Sequence, residues 1–520
     1  MMRTLGVGIW LVILLLVVQI NVFSQVPVDI NSGNPAFPFP QFLDYGKDRK
    51  SLASENAPGV THAEMEQRCR DAWQMICNNT SPYAGVVVGG VQYLYPTAPM
   101  HCTCVEGDGY YLIAAAVMAD KKFFDGYYMW AHDRSFCGTQ RFVDGIFNNP
   151  NYNYAKGLSG AGSLGAGTGV NGGGINGNSA TDGDVDLGLA LLMAYKQWGE
   201  HSGVFIPSMG GKELNYKEEA LKYIRAMVDT AIFPLALPMI KYTSGDVGFD
   251  GYLKGGDSQG ELTDWANAGY LGMQKQVGQQ NYYYDYSAPA WFRQFRTLLE
   301  IENDNKFYID QYKRVEASCD WLMGLHYSKN VKNIPYLGKV SWGGASPTDF
   351  TFSNYIPDGE DFRASWRTVM NYVWHDNPDF TWNPTTHQVI ESTGNSYEKD
   401  MGVRYSKFLK NPQGAPWNNP CRNIGDLKPK ILFNGPYTLV NGYTPDGTAT
   451  GGFPLNWIHG TGAASAIAGQ DFELMGEMFR HCIIAWDGNG YLTSEPIYFH
   501  EFFKWLGIVT LSGNFHALLI

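Results

Sequence analysis

The sequence predicts an all-α fold, built as one large helical domain with long irregular loops. Thr61 and Glu64 form a capping box that opens the amphipathic segment HAEMEQRCRDAWQMIC. Later segments of helical periodicity alternate with loops rich in Gly, Pro and Asn, and we see neither a run of alternating strands nor a regular repeat. These further helices are predicted at about 108–132, 184–199, 215–235, 288–304, 307–326, 364–375, 397–410, 458–486 and 496–511.

The composition is that of a large globular protein and limits the class of partner. With 44% apolar residues in 520, the chain can bury a sizeable core. A net charge of -12 argues against a nucleic-acid partner, because binding to phosphates needs clustered Lys and Arg. Acidic charge combined with 15 Trp and 32 Tyr favours a neutral or cationic ligand that stacks on aromatic faces, as sugars do.

The N-terminus predicts export. Arg3 precedes an apolar run from Leu5 to Val18, and Val22-Phe23-Ser24 places suitable residues before a cleavage site. We interpret residues 1–24 as a signal peptide, with an uncleaved anchor as the alternative. No later segment approaches the roughly 20 apolar residues of a membrane span, so no membrane partner is expected after cleavage. Residues 25–60 are predicted to be an extended lead-in, and 61–520 a single domain.

Cysteine usage fits an oxidising compartment. Cys102 and Cys104 are spaced too closely for a zinc knuckle. Buried thiols with one or two disulfides are expected among Cys69, Cys77, Cys102, Cys104, Cys137, Cys319, Cys421 and Cys482.

Three aspartates stand at alternate positions in ATDGDVDLGLALLMAYKQWG, residues 180–199. A calcium loop is disfavoured, because Leu187 replaces the required Gly and Met193 replaces the bidentate Glu. Acidic residues also favour a helix N-terminus, and we assign that role to Asp184 and Asp186. One cap does not need three carboxylates, however, so Asp182 is interpreted as facing a ligand. The apolar face expected behind them consists of Leu187, Leu191, Ala194 and Trp198.

Two glycine-rich segments flank the acidic candidates. The tract at 157–180 matches no phosphate loop, because Lys-Ser/Thr never follows its glycines, and it is interpreted as a flexible loop. Glu106 precedes Gly107 and Gly109 at the start of another apolar helix. It could be an ordinary turn residue. Two carboxylates at separate helix entrances instead favour acid/base chemistry on a glycosidic bond.

These segments resemble glycoside hydrolase family 8, the inverting endo-β-glycanases. ATDGDVDLGLALLMAYKQW is similar to the family signature and departs from it mildly at Leu187 and Gly188. Similar pieces follow in the family's order from about residue 60 to the C-terminus. They are EGDGYY with FFDGYYMW, DYSAPAWF at 285–292, WRTVMN at 366–371, HGTGAASAIAG at 459–469 and LSGNF at 511–515. The resemblance implies an (α/α)6 barrel, in agreement with the helical periodicity.

The resemblance also assigns roles to individual positions. Glu106 matches the general acid, and Asp182 matches the aspartate that binds the distorted sugar. Tyr286 matches the tyrosine near the attacking water, and Tyr498 is a candidate sugar-binding residue in the C-terminal aromatic segment. We expect burial and the nearby charge of Asp182 to keep a proton on Glu106. Arg363 and Arg367 are both predicted to bind substrate.

The general base is where the chain departs from the family pattern, an Asp three residues before an Arg at the start of an inner helix. Aligning that Arg with Arg367 puts Ala364 at the base position. Aligning it with Arg363 puts Glu360 there, with Asp361 adjacent. We favour Asp361 or Glu360 as the base.

Two alternatives to that base stay open. In the chitosanase branch the base is a Glu from an inserted loop, so GGDSQGELTDW, with Glu261 and Asp264, is another source. A barrel that has lost its base would be a catalytically weak glycan-binding protein.

The predicted function is hydrolysis of internal β-1,4 bonds of a polysaccharide by a secreted, inverting enzyme. β-Glucan of the cellulose type is the first choice of substrate, xylan the second and chitosan the third. No metal or organic cofactor is implied, and a monomer is expected. A polysaccharide lyase on a similar helical toroid is a further alternative, although lyases act on uronate polymers that call for basic contacts.

Overall fold

The computed structural model describes seventeen stretches of the chain, and all structural statements refer to them. They are residues 26–54, 59–88, 90–96, 105–134, 181–206, 211–228, 280–282, 286–328, 340–342, 350–352, 363–383, 386, 388–394, 397–410, 439–443, 449–487 and 498–518. The predicted signal peptide lies outside them.

Thirteen helices are present in the described residues. They are α1 (His62–Asn78), α2 (Val105–Val117), α3 (Lys121–Arg134), α4 (Thr181–Trp198), α5 (Tyr216–Met227), α6 (Pro289–Ile301), α7 (Lys306–Ser328), α8 (Arg363–Arg367), α9 (Val369–His375), α10 (Tyr397–Lys410), α11 (Leu455–Gly469), α12 (Phe472–Asp487) and α13 (Tyr498–Leu511).

The helices form two concentric rings. The inner ring closes on itself through contacts between α2, α4, α6, the α8–α9 pair, α11 and α13, with α13 returning to α2. The outer ring consists of α1, α3, α5, α7, α10 and α12, each packed on an inner helix that adjoins it in the chain or closes the ring. The predicted fold class, an all-α (α/α)6 barrel with long irregular loops, is confirmed.

Helix boundaries follow local signals where such signals exist. The Thr61 hydroxyl accepts a hydrogen bond from the Glu64 amide at 3.2 Å, which confirms the predicted cap of α1. The predicted helices 108–132 and 458–486 are each two helices, broken where Ala119 and Gln470 adopt positive φ angles of 53° and 50°. Apolar periodicity runs through both corners, so the pattern does not reveal where the chain turns from the inner to the outer ring.

Short antiparallel strands lie between the helices. The sequence analysis did not predict these strands. The strands are β1 (Thr80–Val88), β2 (Val91–Pro96), β3 (His201–Ile206), β4 (Lys212–Asn215), β5 (Gln280–Tyr282), β6 (Val340–Trp342), β7 (Phe350–Phe352), β8 (Phe380–Asn383), β9 (Gln388–Glu391), β10 (Leu439–Tyr443) and β11 (Ala449–Pro454). They pair as β1–β2, β3–β4, β5–β6–β7, β8–β9 and β10–β11. One signal was available: two glycines between apolar runs in VVVGGVQYLY mark the β1–β2 hairpin, where Val88 pairs with Val91.

The inner helices are buried on nearly every side. Residues 182–194 of α4 are all buried, so the single apolar face predicted for this helix was too narrow. Close approach needs small residues at the helix contacts. A Cβ on Gly109 of α2 would lie 2.8 Å from the Asp186 Cβ, and one on Gly188 of α4 would lie 3.1 Å from the Phe295 ring. Gly188 therefore replaces the family's usual Ala for a packing reason.

The segment at 26–54 is extended and packs across the barrel end formed by the C-termini of the inner helices. Its amides donate to terminal carbonyls: Ser32 to Ala119 at 3.0 Å, Leu43 to Gly513 at 2.9 Å and Leu52 to Leu511 at 2.8 Å. Helix C-termini leave carbonyls without intrahelical partners. The segment supplies those partners and closes this end of the barrel.

Cys69, Cys77 and Cys319 are buried free thiols, and burial raises the pKa of Cys69 to about 12. The side chains of the other five cysteines are not among those described, so the predicted disulfides stay a prediction. Among the helices that the structure describes, none combines the length and apolar character needed to cross a membrane.

Candidate active site

Four inner-ring segments bring predicted site residues together at the end of the barrel where the inner helices begin. Glu106 lies in the first turn of α2 and Asp182 in the first turn of α4. Tyr286 immediately precedes α6, and Arg363 begins α8. Because the inner helices start at the same end, residues far apart in sequence become neighbours.

Arg363 joins the two acidic residues. Its Nη1 donates to Oε1 of Glu106 and, at 2.8 Å, to Oδ2 of Asp182. The Arg363 side chain is only 1% exposed, whereas that of Glu106 is 13% exposed. The pair of carboxylates is therefore held by a buried cation, with Glu106 the more accessible partner.

Aromatic side chains hold this group from two sides. The Tyr110 hydroxyl donates to Oε1 of Glu106 at 2.7 Å, and its ring stacks on Phe502 with 4.1 Å between centroids. The Arg363 guanidinium lies 5.4 Å from the centre of the Tyr286 ring, within cation–π range. Burial raises the pKa of Tyr110 well above its usual value, so the phenol keeps its proton and serves as a donor.

A second polar layer lies one helical turn deeper. Asp186 accepts from Nε1 of Trp291 at 2.9 Å through Oδ1, and from Nη2 of Arg367 through Oδ2. Arg367 also donates to the backbone carbonyl of Asp182 at 3.2 Å. Burial raises the pKa of Asp186 to about 6, although the Arg367 charge and the hydrogen bonds oppose the shift.

The charges of the two layers do not cancel. Glu106, Asp182 and Asp186 face Arg363 and Arg367, so the set carries one net negative charge when every carboxyl is ionised. A low-dielectric site disfavours that excess, in line with the raised pKa of Asp186. We expected only negative charge beside Glu106; the structure adds the Arg363 cation.

Some predicted residues are placed differently or lie outside the described residues. Arg367, predicted to bind substrate, is completely buried against Asp186, which argues against direct contact with a sugar. Tyr498 is the first residue of α13, but its side chain is not among those described. The candidate bases Glu360, Asp361, Glu261 and Asp264 all lie outside the described residues.

Tyr110 and Trp291 contact the site and were missed. Tyr110 follows Glu106 by one helical turn, so helical spacing could have found it. Trp291 contacts Asp186 across a helix interface, and no local signal marks it.

The three aspartates lie in a helix that begins at Thr181, which differs from the loop of a calcium site. Within the described part of the chain, no group of three or more His, Cys, Asp or Glu residues is arranged to hold a metal ion.

Comparison with known proteins finds relatives named endoglucanase. No family model matches the chain. Endoglucanase 2 of Ruminiclostridium josui is 23% identical over 416 residues, and Endoglucanase C of Ruminiclostridium cellulolyticum is 21% identical over 416 residues. Both matches cover 80% of this chain and 65% of the relative, so the chain spans just under two thirds of their length.

Solved structures match over almost the whole chain. The β-1,3-1,4-glucanase of Paenibacillus sp. X4 superposes with a TM-score of 0.53 at 17% identity, covering 92% of this chain and 98% of that one. A reducing-end-xylose releasing exo-oligoxylanase complexed with xylose gives 0.53 at 15% identity, covering 88% and 94%. These comparisons support the resemblance to glycoside hydrolase family 8. At these identities, the solved structures show the shared fold alone.

Proposed function

We propose that this chain is a secreted glycoside hydrolase that cleaves internal β-1,4 bonds of a polysaccharide with inversion of configuration. The observation that carries the proposal is the convergence of Glu106 and Asp182 on Arg363 at the barrel end where the inner helices begin. Carboxyls from two helix entrances, one of them partly exposed, suit proton donation and sugar binding at one bond. The endoglucanase relatives support this reaction class.

Glu106 is proposed as the general acid. It is the more exposed of the two carboxyls that share Arg363, at 13% against 7%, and can therefore reach a leaving group. Asp182 is proposed to bind the sugar at the cleavage point, with Tyr286 beside the attacking water. In an inverting site the acid and base carboxyls stand roughly 6.5–9.5 Å apart, leaving room for that water.

Glu360 is proposed as the general base, with Asp361 as its competitor. The family pattern puts the base three residues before an Arg that starts an inner helix. Arg363 starts α8 and contacts both Glu106 and Asp182, whereas Arg367 lies one turn deeper. This placement supports the alignment on Arg363, which assigns the base position to Glu360.

β-Glucan of the cellulose type is the proposed substrate, ahead of xylan and chitosan. The relatives named endoglucanase and the Niallia circulans protein named β-glucanase support that order. We further propose that the enzyme works outside the cell as a monomer and without a cofactor.

The test is to incubate the protein with β-glucan, xylan and chitosan, measuring reducing ends and the anomer first released by NMR. Inverted product from β-glucan is expected. Retained configuration would exclude the inverting mechanism, and ultraviolet-absorbing product would indicate a lyase. Chain binding without any reducing ends would indicate a glycan-binding protein.

Site variants separate the roles. Glu106→Gln should lower kcat on polymer by about 10³-fold. It should retain far more activity on a dinitrophenyl oligosaccharide, whose leaving group needs no protonation. Equal losses on both substrates would contradict the acid assignment.

For the base, Glu360→Gln should abolish turnover, and azide should restore formation of an inverted glycosyl azide in Glu360→Ala. Asp361→Asn serves as the matched comparison. Loss and azide rescue confined to the Asp361 variants would move the base to that residue. Normal turnover in both would direct attention to Glu261 and Asp264.

A further inference from the structure

We infer that Asp186 is a positioning residue, which locks together the inner helices that carry the site and thereby sets the place of Asp182. The inference rests on the proposed function, because Asp182 is taken as the sugar-binding carboxylate. Asp186 itself has no exposed surface and therefore cannot touch a substrate.

We call Glu106, Asp182, Tyr286 and Arg363 the upper layer, and Asp186 with Arg367 the lower layer. Asp186 contacts the helix that carries or follows each other residue of the upper layer. It packs against Gly109 of α2, the helix of Glu106, where only a hydrogen leaves enough space. It accepts from Trp291 of α6, which follows Tyr286, and from Arg367 of α8, which carries Arg363. One side chain on α4 thus contacts three other inner helices, two of them through its carboxylate.

The two layers repeat one arrangement at a spacing of one helical turn. Asp182 and Asp186 are four residues apart on α4, and Arg363 and Arg367 are four residues apart on α8. Arg363 pairs with Asp182 and Arg367 with Asp186. Because residues at i and i+4 lie above one another on a helix, the lower pair sets the register of the upper pair.

Arg367 also connects the layers directly. Its Nη2 donates to the Asp182 carbonyl at 3.2 Å as well as to the Asp186 carboxylate. A substrate that draws the Asp182 side chain away from Arg363 leaves this backbone contact in place. The lower pair can therefore hold Asp182 during turnover, while the upper pair is free to exchange partners.

The expected consequence is a loss in kcat rather than in substrate affinity. Asp186→Asn keeps the shape of the side chain and removes the charge that pairs with Arg367. A displacement of Asp182 of the order of 1 Å is enough for about a 10²-fold loss of rate. We therefore expect kcat to fall at least about 10-fold with KM within about threefold of wild type.

Asp320→Asn is the matched control, because it also removes a buried carboxyl, on the outer helix α7. Asp320 accepts from Thr381 and contacts no residue of the two layers among its described partners. Burial and the nearby Glu398 carboxylate raise its pKa, and Asn should preserve kcat because Asp320 lies outside the two layers. A kcat of Asp186→Asn equal to that of this control would overturn the inference.

The pH dependence distinguishes positioning from general stability. Asp186 faces Arg367, Trp291, Asp182 and Tyr110, and burial raises its pKa to about 6. An acid with a raised pKa holds its proton in the folded state after the unfolded state has lost it. Stability from this group therefore falls as pH rises from about 4 to 6.

Ionised Asp186 is the form that pairs with Arg367, so kcat should rise over the same interval. Asp186→Asn should lose both slopes. Activity that follows stability in the wild type would instead indicate a purely structural role.

A double-mutant cycle tests the inference without any assay of activity. Thermal unfolding is compared for wild type, Asp182→Asn, Asp186→Asn and the double variant. Non-additive shifts of Tm are expected, because the two carboxylates belong to one buried charge cluster, in which the charge of Asp182 raises the pKa of Asp186. Additive shifts would show independent layers and overturn the inference. A wild type inactive on every polymer would refute the proposed function alone, since the cycle still decides the coupling.

Discussion

Two buried carboxylate sites, at opposite ends of the barrel, are held by different means. At the closed end, which residues 26–54 cover, the described donors to the Asp120 carboxylate are neutral: the amides of Asp29 and Phe123 at 2.9 and 3.1 Å, and Nε1 of Trp73 at 3.1 Å. At the end where the inner helices begin, Glu106 and Asp182 share the Arg363 cation. Neutral donors hold a carboxylate in one place, whereas carboxylates that share a cation can exchange it for a substrate. We therefore expect changes at Asp120 to affect stability, and changes around Glu106 and Asp182 to affect the proposed reaction.

The largest effect on stability is expected for Asp120→Ala at the closed end. The change leaves three buried donors without their partner and removes the cap of α3, which costs about 3 kcal/mol. Chemical denaturation should show this loss, while kcat per folded molecule stays at the wild-type value. Asp120→Asn, which keeps an acceptor, should lose less. A fall in kcat at denaturant concentrations below the unfolding transition would contradict the proposal that Asp120 affects stability alone.

Gly109→Ala, in the helix that carries Glu106, should lower stability less than Asp120→Ala does. It should also lower activity clearly. The added methyl would overlap the Asp186 Cβ and force α2 away from α4, at about 2 kcal/mol. Because these helices carry Glu106 and Asp182, kcat should fall about tenfold or more.

Gly476→Ala in α12 is the control for that change. Its nearest neighbour is 4.0 Å away, so it should be neutral or slightly stabilising, with unchanged kcat. Normal activity in Gly109→Ala would show that the distance between α2 and α4 does not control the reaction.

The smallest effect is expected for Gln197→Ala, which loosens the N-terminal segment. The Gln197 amide bonds both backbone groups of Phe37 at 3.0 Å and the Ala116 carbonyl at 2.8 Å. Loss of these bonds should lower the free energy of unfolding by about 1–2 kcal/mol, and kcat should not change. Exposed Gln67→Ala is the comparison and should stay within about 0.5 kcal/mol of wild type. Equal stability of the two variants would show that the segment is not a structural closure.

The places where the sequence analysis failed share a physical cause. Apolar residues continue at helical spacing on both sides of the corners at Ala119 and Gln470, so periodicity did not locate them, although Asp120 and Asp471 cap the helices that follow. The inner helix α4 is buried all round, and an amphipathic pattern underestimates such burial. The two glycines between β1 and β2 are a turn signal from which this hairpin could have been predicted.

The site shows the same division between local and long-range information. Glu106 and Asp182 stand at helix starts beside glycines, which made them recognisable as candidates. Arg367 was grouped with Arg363 because both fit the same family pattern. The two residues differ in their position along α8. Arg363 contacts the Asp182 carboxylate, whereas Arg367, one turn deeper, contacts the Asp186 carboxylate.

By itself, the sequence determined the helical class, the cap at Thr61 and the carboxylates suited to acid/base chemistry, because these depend on spacings within one or two helical turns. The tertiary structure alone decided that Arg363 holds Glu106 and Asp182, and that Asp186 joins three helices. Those contacts exist only when the inner ring closes, since the free energy of pairing buried charges depends on which helices become neighbours.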